Sequence, residues 1–257
     1  MAKLIESLST TERLRQGKSA IPSLLELQMM DVPYWRDDFM GGAHPTSWYT
    51  SLVYQSTASG TVAAAAAIQT GAANGQILLD PGTDNGGRSD LSLGLHFTGS
   101  RNAHFWWYVT LPANIGSFKF ELGATDVVSG TDAGAVNAKA DPTFNAENAV
   151  VLVFDTTDDT ALTLAGVKAT VADTVIDFDE VLAAATDYYF GIELRDDQAR
   201  GYLLNADGKL LEQTAWMDDA VTSTTLLTPW AFVQNRSGSQ RLFLIDLLCA
   251  YQRRSAS

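Results

Sequence analysis

Residues 187–212 constrain the fold of this chain more than any other stretch. The first limb is Asp187-Tyr188-Tyr189-Phe190-Gly191-Ile192-Glu193-Leu194-Arg195, with Phe190, Ile192 and Leu194 on one face and Tyr189, Gly191, Glu193 and Arg195 on the other. A period of two marks a strand with one buried face. The chain then turns through Asp196-Asp197-Gln198-Ala199 and returns as Arg200-Gly201-Tyr202-Leu203-Leu204-Asn205. A second turn, Ala206-Asp207-Gly208-Lys209, leads into Leu210-Leu211-Glu212. Asp-Gly supplies the positive φ that a tight hairpin turn needs. The stretch predicts a β-meander whose outward residue Glu193 is expected in solvent.

The same alternation recurs upstream. Phe105, Trp107, Val109 and Leu111 share one face, with His104, Trp106, Tyr108 and Thr110 opposite. Phe118, Phe120 and Leu122 point inward and leave Glu121 outward, again expected in solvent. Further strands are expected at 48–54, at 61–70 (a small-residue strand through Ala63–Ala67), at 76–80, at Leu91–Phe97, at 150–154, at 162–171, at 174–178, at 226–235 and at 240–251. Residues 126–147 form a polar connection, expected as a surface or contact loop, and 179–185 a helical turn. About a dozen strands at this spacing predict an all-β, two-sheet antiparallel sandwich. A chain of 257 residues, 46% hydrophobic, is long enough to give that sandwich one large core.

Residues 1–36 differ from the rest. Ser9-Thr10-Thr11-Glu12 is a capping box opening a short helix that carries Leu14 and closes at Gly17. Leu4, Ile5, Leu8, Leu24, Leu25, Leu27, Met29, Met30 and Trp35 make this arm more apolar than a free tail. It either folds back over its own domain or docks on a neighbouring subunit, and both stay open. The division expected is an N-terminal anchoring arm, partly helical, at 1–36 and a sandwich domain at 37–257.

Charge narrows the partners. The net charge is −13, and residues 37–235 hold eight basic against twenty-five acidic side chains, a field that repels phosphate backbones. No nucleic-acid partner is expected. No apolar run reaches the ~18–20 residues of a membrane span, and the N-terminus lacks a signal-peptide layout. A soluble protein made in a cytoplasm is expected. The single cysteine, Cys249, lies among Leu247, Leu248 and Ala250 and is expected as a buried thiol.

The order of motifs resembles the concanavalin A-like jelly roll, of the laminin-G type used in bacteriophage virion proteins. The matching residues are Asp38-Phe39 and then Trp48; Phe105-Trp106-Trp107-Tyr108-Val109; Phe118-Lys119-Phe120-Glu121-Leu122-Gly123; Tyr188-Tyr189-Phe190-Gly191-Ile192-Glu193 with its Asp207-Gly208 turn; and Leu244-Ile245-Asp246. The resemblance covers roughly residues 37–252 and implies a jelly-roll sandwich with a place in a virion. The arm lies outside it and is similar to those by which phage decoration proteins grip a capsid or each other.

That fold family includes glycan hydrolases, whose retaining members need two carboxyls ~5–5.5 Å apart. The Glu-x-Asp-x-x-Glu string of laminarinase-like members does not occur here, and Glu193 and Glu121 lack the spacing. His44, His96 and His104 offer no third ligand for zinc, although His96 and His104 fall on neighbouring expected strands. Calcium is the open cofactor question. Asp80, Asp84, Asn85 and Asp90 offer oxygens in one loop, and Asp155, Asp158 and Asp159 in another, where calcium wants six to eight. Trp106, Tyr108 and Trp216 are the candidate glycan-contacting aromatics.

The leading expectation is a non-enzymatic virion protein assembled in the host bacterial cytoplasm, a capsid decoration or cement protein. Its partners would be the major capsid protein or other virion subunits, and it would self-associate through interfaces of ~2,000 Å² or more. The alternative is a glycan-binding adsorption module on a tail or head fibre, contacting host surface polysaccharide. A hydrolase with unrecognised carboxylates ranks third.

Overall fold

The computed structural model describes residues 34–37, 58–59, 65–68, 75–127, 134–139, 143–172 and 175–254, with backbone alone for the first three segments. The arm residues Leu4 to Met30, the strand expected at 48–54 and His44 lie outside the described residues. In chain order the first strands are β1 (Tyr34–Asp37), β2 (Ala58–Ser59), β3 (Ala65–Ile68), β4 (Ile77–Asp80), β5 (Arg88–Ser92) and β6 (His104–Thr110). There follow β7 (Phe118–Thr125), β8 (Val136–Ala138), β9 (Thr143–Phe144), β10 (Ala149–Asp155), β11 (Leu162–Lys168) and β12 (Val171–Ala172). The last are β13 (Ile176–Asp177), β14 (Asp187–Arg195), β15 (Gln198–Asn205), β16 (Leu210–Gln213), β17 (Thr228–Asn235) and β18 (Phe243–Tyr251). The helical content of the described residues is one 3-10 turn, Gly99–Arg101.

Two eight-stranded sheets form the sandwich. The first runs β16-β15-β14-β6-β18-β4-β3, with β1 also on β18; the second runs β12-β11-β10-β7-β17-β5-β2, with β13 also on β11. Neighbouring strands pair antiparallel throughout. The inward residues read from the alternation do meet between the sheets. Phe120 of the second sheet sits with its ring centroid 5.6 Å from Phe190 and 5.3 Å from Phe243 of the first, and 5.5 Å from Phe154 beside it. The expected β-meander is β14-β15-β16, with Gly208 at φ +75° in its second turn. Cys249 is buried, as expected.

Four local expectations are corrected. The strand expected over Leu91–Phe97 stops at Ser92, because the Thr228 hydroxyl accepts the next two backbone N–H groups, from Leu93 (2.9 Å) and Gly94 (3.0 Å). Leu95 is exposed beyond it, and His96 lies in the loop, not on a strand beside His104. The run 162–171 is a hairpin rather than one strand, turning at Ala169 and Thr170, which both adopt positive φ. No helical turn forms at 179–185. The Glu212 carboxylate accepts the N–H groups of Asp179 (3.0 Å) and Glu180 (2.8 Å), and the Tyr188 hydroxyl accepts that of Ala183 (3.1 Å). Finally, the 126–147 connection is not a plain surface loop: it carries the β8–β9 hairpin and covers part of the second sheet.

Candidate functional site

Directly opposed residues on paired strands share a face, so the sheet register shows what stands on the outside of the sandwich. On the second sheet Lys119 of β7 lies between Gln234 and Asp155, and Glu121 between Phe232 and Val153. Glu121 was expected in solvent; it and Lys119 are fully buried instead, and they form an ion pair at 2.9 Å. The cause is the described part of the 126–147 connection, residues 134–139 and 143–147, a strap whose β8–β9 hairpin packs on this face. Its Ala135, Val136 and Ala146 pack with Val151, Val153, Trp230 and Phe232 in an apolar cluster separate from the main core.

The Glu121 carboxylate is saturated. Oε2 accepts from the Ala135 N–H (2.8 Å) and the Trp230 Nε1–H (2.9 Å); Oε1 accepts from the Val136 N–H (3.1 Å) and the Lys119 ammonium. Lys119 Nζ also donates to the Val136 carbonyl. A buried charge is tolerated only when paired and hydrogen-bonded in this way. Further along, Lys139 donates through its ammonium to Asp159 and to the Ala161 carbonyl, and its N–H bonds Asp158 at 2.8 Å. Burial raises the Asp159 pKa, but its hydrogen bonds from Lys139 and Ala161 outweigh that and hold it below the usual carboxylate range. At the strap's base the Asp126 N–H donates to the Asn148 carbonyl, and the Asn148 N–H to Asp126 Oδ2, both at 2.9 Å.

The outer face of the first sheet carries a second row. Tyr251, His104, Glu193 and Arg200 lie opposite one another across β18, β6, β14 and β15. Glu193, also expected in solvent, is buried and accepts the Tyr202 hydroxyl at 2.7 Å. His104 stacks on Tyr251 at 4.5 Å, and the Arg200 guanidinium lies 4.6 Å over the ring of Trp216. One row along, Trp106 lies over Gly191, where an added Cβ would come within 2.5 Å of Trp106 Cε3. Alternation places these residues outside the core, but it cannot say whether that outside is covered.

The three candidate aromatics therefore differ. Trp106 is fully buried and has no open ring face. Tyr108 is half-buried, 4.4 Å from Tyr189, and its hydroxyl donates to Asp187 (3.3 Å). Trp216 is half-buried, in the connection after β16. Burial and the Asp187 charge push the Tyr108 phenol up to about 12. Because the folded state holds that proton more tightly than the unfolded chain, stability is expected to fall as pH rises from ~10 toward 12. Tyr108→Phe should flatten that part of a stability–pH curve measured by urea unfolding.

The arrangement limits the chemistry. Glu121 and Glu193 stand on opposite outsides of a sandwich whose sheets pack ~10 Å apart, so they cannot form a retaining pair. Four of the calcium candidates, Asp80, Asp155, Asp158 and Asp159, are engaged elsewhere. Asp80 accepts the Gly82 N–H (2.8 Å) and the Gln240 amide (2.6 Å). Asp155 takes both Nε and Nη2 of Arg236. Asp158 and Asp159 hold Lys139. Among the described residues no group of three or more His, Cys, Asp and Glu is placed to hold a metal ion, and no helix is long and apolar enough to cross a membrane.

This architecture, two large antiparallel sheets around one aromatic core, is the concanavalin A-like sandwich. No protein-family model matches the chain, and no curated protein does. Its likenesses are structural. A protein of unknown function from Shewanella oneidensis MR-1, SO2946, superposes with a TM-score of 0.59 at 17% identity, over 92% of this chain and 97% of that one. Peanut lectin gives 0.55 at 10% identity over 86% and 97%. The β-glucanase of Bacillus licheniformis gives 0.53 at 11% identity over 86% and 98%. A lectin and a hydrolase on one fold show the architecture and leave activity to the site.

Proposed function

We propose that the chain is a non-catalytic virion component of a tailed bacteriophage, a capsid decoration or cement subunit, with residues 1–36 as its anchor and the sandwich as its body. The observation that carries the reading is the place of β1. Tyr34, Trp35, Arg36 and Asp37 pair with Tyr251, Ala250, Cys249 and Leu248 of β18, beside the stretch of β18 that pairs with β4. The end of the arm is thus a rung of the first sheet, so load on residues 1–33 passes into a hydrogen-bonded ladder rather than a loose linker. The Glu121 and Glu193 carboxylates, the first taken up by Lys119, Trp230 and the strap and the second by Tyr202, support a role without catalysis. Mass spectrometry of purified particles should find the chain at a fixed stoichiometry to the major capsid protein; its absence from particles would overturn the reading.

A glycan-binding adsorption module is the second reading, favoured by Trp216. An indole with Arg200 on one face, two residues before the Asp218 carboxylate that accepts the Gln198 amide, has the makings of a sugar-stacking platform. On that reading Trp216→Ala abolishes retention on immobilised host polysaccharide while the melting temperature stays within a few degrees. Equal retention of both proteins, or none by either, removes it.

A further inference from the structure

A cleft of about 500 Å³ lies between the end of β6, with the loop that follows it, and the start of β18. That volume falls within the ~300–1,000 Å³ of ordinary small-molecule sites. Thr110 and Leu244, paired across β6 and β18, line it from the sheet. Leu111 and Pro112 of the loop and Leu242 ahead of β18 add apolar surface. The loop wall is fixed: the Leu111 N–H donates to the Thr186 carbonyl (3.0 Å), and the Ala185 N–H to the Pro112 carbonyl (2.9 Å). Leu242 is 42% exposed, so a large apolar side chain meets solvent at the rim. Among the described residues Arg241 is the only charged side chain in the lining. Its Nε donates to the Gly116 carbonyl (3.4 Å) and its Nη1 to the Gln240 carbonyl (3.1 Å), which anchors the guanidinium across the mouth of the cleft. Nη2 donates to no described group, and no described carboxylate pairs with Arg241. In a chain of net charge −13, this cation has donors to spare beside apolar walls.

We infer that this cleft binds a small carboxylic acid with an apolar chain, its carboxylate on the Nη1–Nη2 end of Arg241 and its chain along Leu111, Pro112, Leu242 and Leu244. Nη1 keeps one N–H and Nη2 both, and a planar guanidinium presents such a pair to the two oxygens of one carboxylate. Other ligand classes fit less well. A phosphate dianion brings a second charge into an acidic field, and the apolar walls leave that charge without partners. A sugar finds no aromatic ring in the lining to stack on. An ammonium group meets the arginine's own charge. The cleft sits at the end of β18 away from the β1 rungs and does not include Trp216. It is therefore independent of both the anchoring and the glycan-binding readings.

The probe is hexanoate, titrated into the full-length protein and followed by calorimetry and by the methyl NMR signals of Leu242 and Leu244. The expected result is saturable binding that moves both leucines and leaves the Trp216 indole signal in place. Arg241→Gln should weaken it roughly tenfold or more, the scale of losing hydrogen bonds to a charged group. Hexanol, with the same chain and no charge, should bind more weakly and equally to both proteins, and inorganic phosphate and hexylamine should not saturate either. Leu242→Glu, at an exposed position, sets a carboxylate beside the guanidinium and should weaken hexanoate as much; it replaces Arg241→Gln if that variant does not fold. No saturable binding of hexanoate overturns the site, as does binding that moves neither leucine or is indifferent to these substitutions. Phosphate bound as tightly as hexanoate overturns the apolar half of the recognition, and hexanol bound as tightly overturns the role of Arg241.

Discussion

Glu121→Gln is expected to destabilise the sandwich by ~3–5 kcal/mol, the usual cost of breaking a buried ion pair by removing one partner. The substitution keeps the shape and removes the charge that holds Lys119, whose ammonium stays fully buried. It also turns one acceptor oxygen into a donor. The carboxylate takes four donors, from Ala135, Val136, Trp230 and Lys119, and an amide cannot face all four without opposing two donors. Against a typical total of ~5–15 kcal/mol this loss is large, and urea unfolding will read it as a lower midpoint. Adding Lys119→Met should recover part of it, because the orphaned charge goes too, so the pair is non-additive. Hydrogen exchange should report faster exchange at Ala135 and Val136 in both variants. A single-variant cost under ~1 kcal/mol would mean that the pair behaves like a surface salt bridge.

Phe120→Ala is expected to cost a similar ~3–5 kcal/mol for a different reason: it leaves a cavity. Its ring touches Phe118 and Phe154 in its own sheet and Phe190 and Phe243 in the other, with centroids 5.3–6.2 Å away. No neighbour can collapse into that space without pulling the sheets together elsewhere. For a chain of this size the loss corresponds to a fall in melting temperature of roughly 6–20 °C, read by calorimetry. Phe120→Leu, which keeps most of the volume, should lose markedly less.

The inward half of this fold was legible because alternation is a local signal. Phe105, Trp107, Phe118, Phe120, Phe190 and Ile192 each announce their side by spacing alone, and all meet in the core. The outward half was not. Lys119 and Glu121 have the spacing of a solvated face, and it is the β8–β9 hairpin, with Ala135, Val136 and Ala146, that makes them interior. Two sequence features pointed that way: opposite charges two apart on one strand face, and the apolar residues Val127, Ala135, Val136, Phe144 and Ala146 spread through the 126–147 connection. The burial of Trp106 and Glu193 on the other sheet escaped too, because it depends on partners distant in the chain, such as Tyr202, whose ring lies 5.7 Å from Trp106 and whose hydroxyl donates to Glu193. Strand ends were lost where a side chain took backbone donors, as Thr228 does after Ser92 and Glu212 does at Asp179 and Glu180. Such bonds join residues far apart in the chain, and no local period carries them.

The arm is where this reading places the working contact, and β1 is where that contact enters the sandwich. The direct test uses particles stripped of this protein, offered either the full chain or a chain lacking residues 1–30, which keeps β1 and should keep its circular dichroism and melting temperature. The full chain is expected to rebind to saturation and the truncated one at least tenfold more weakly. Equal rebinding by the two would contradict the anchoring role.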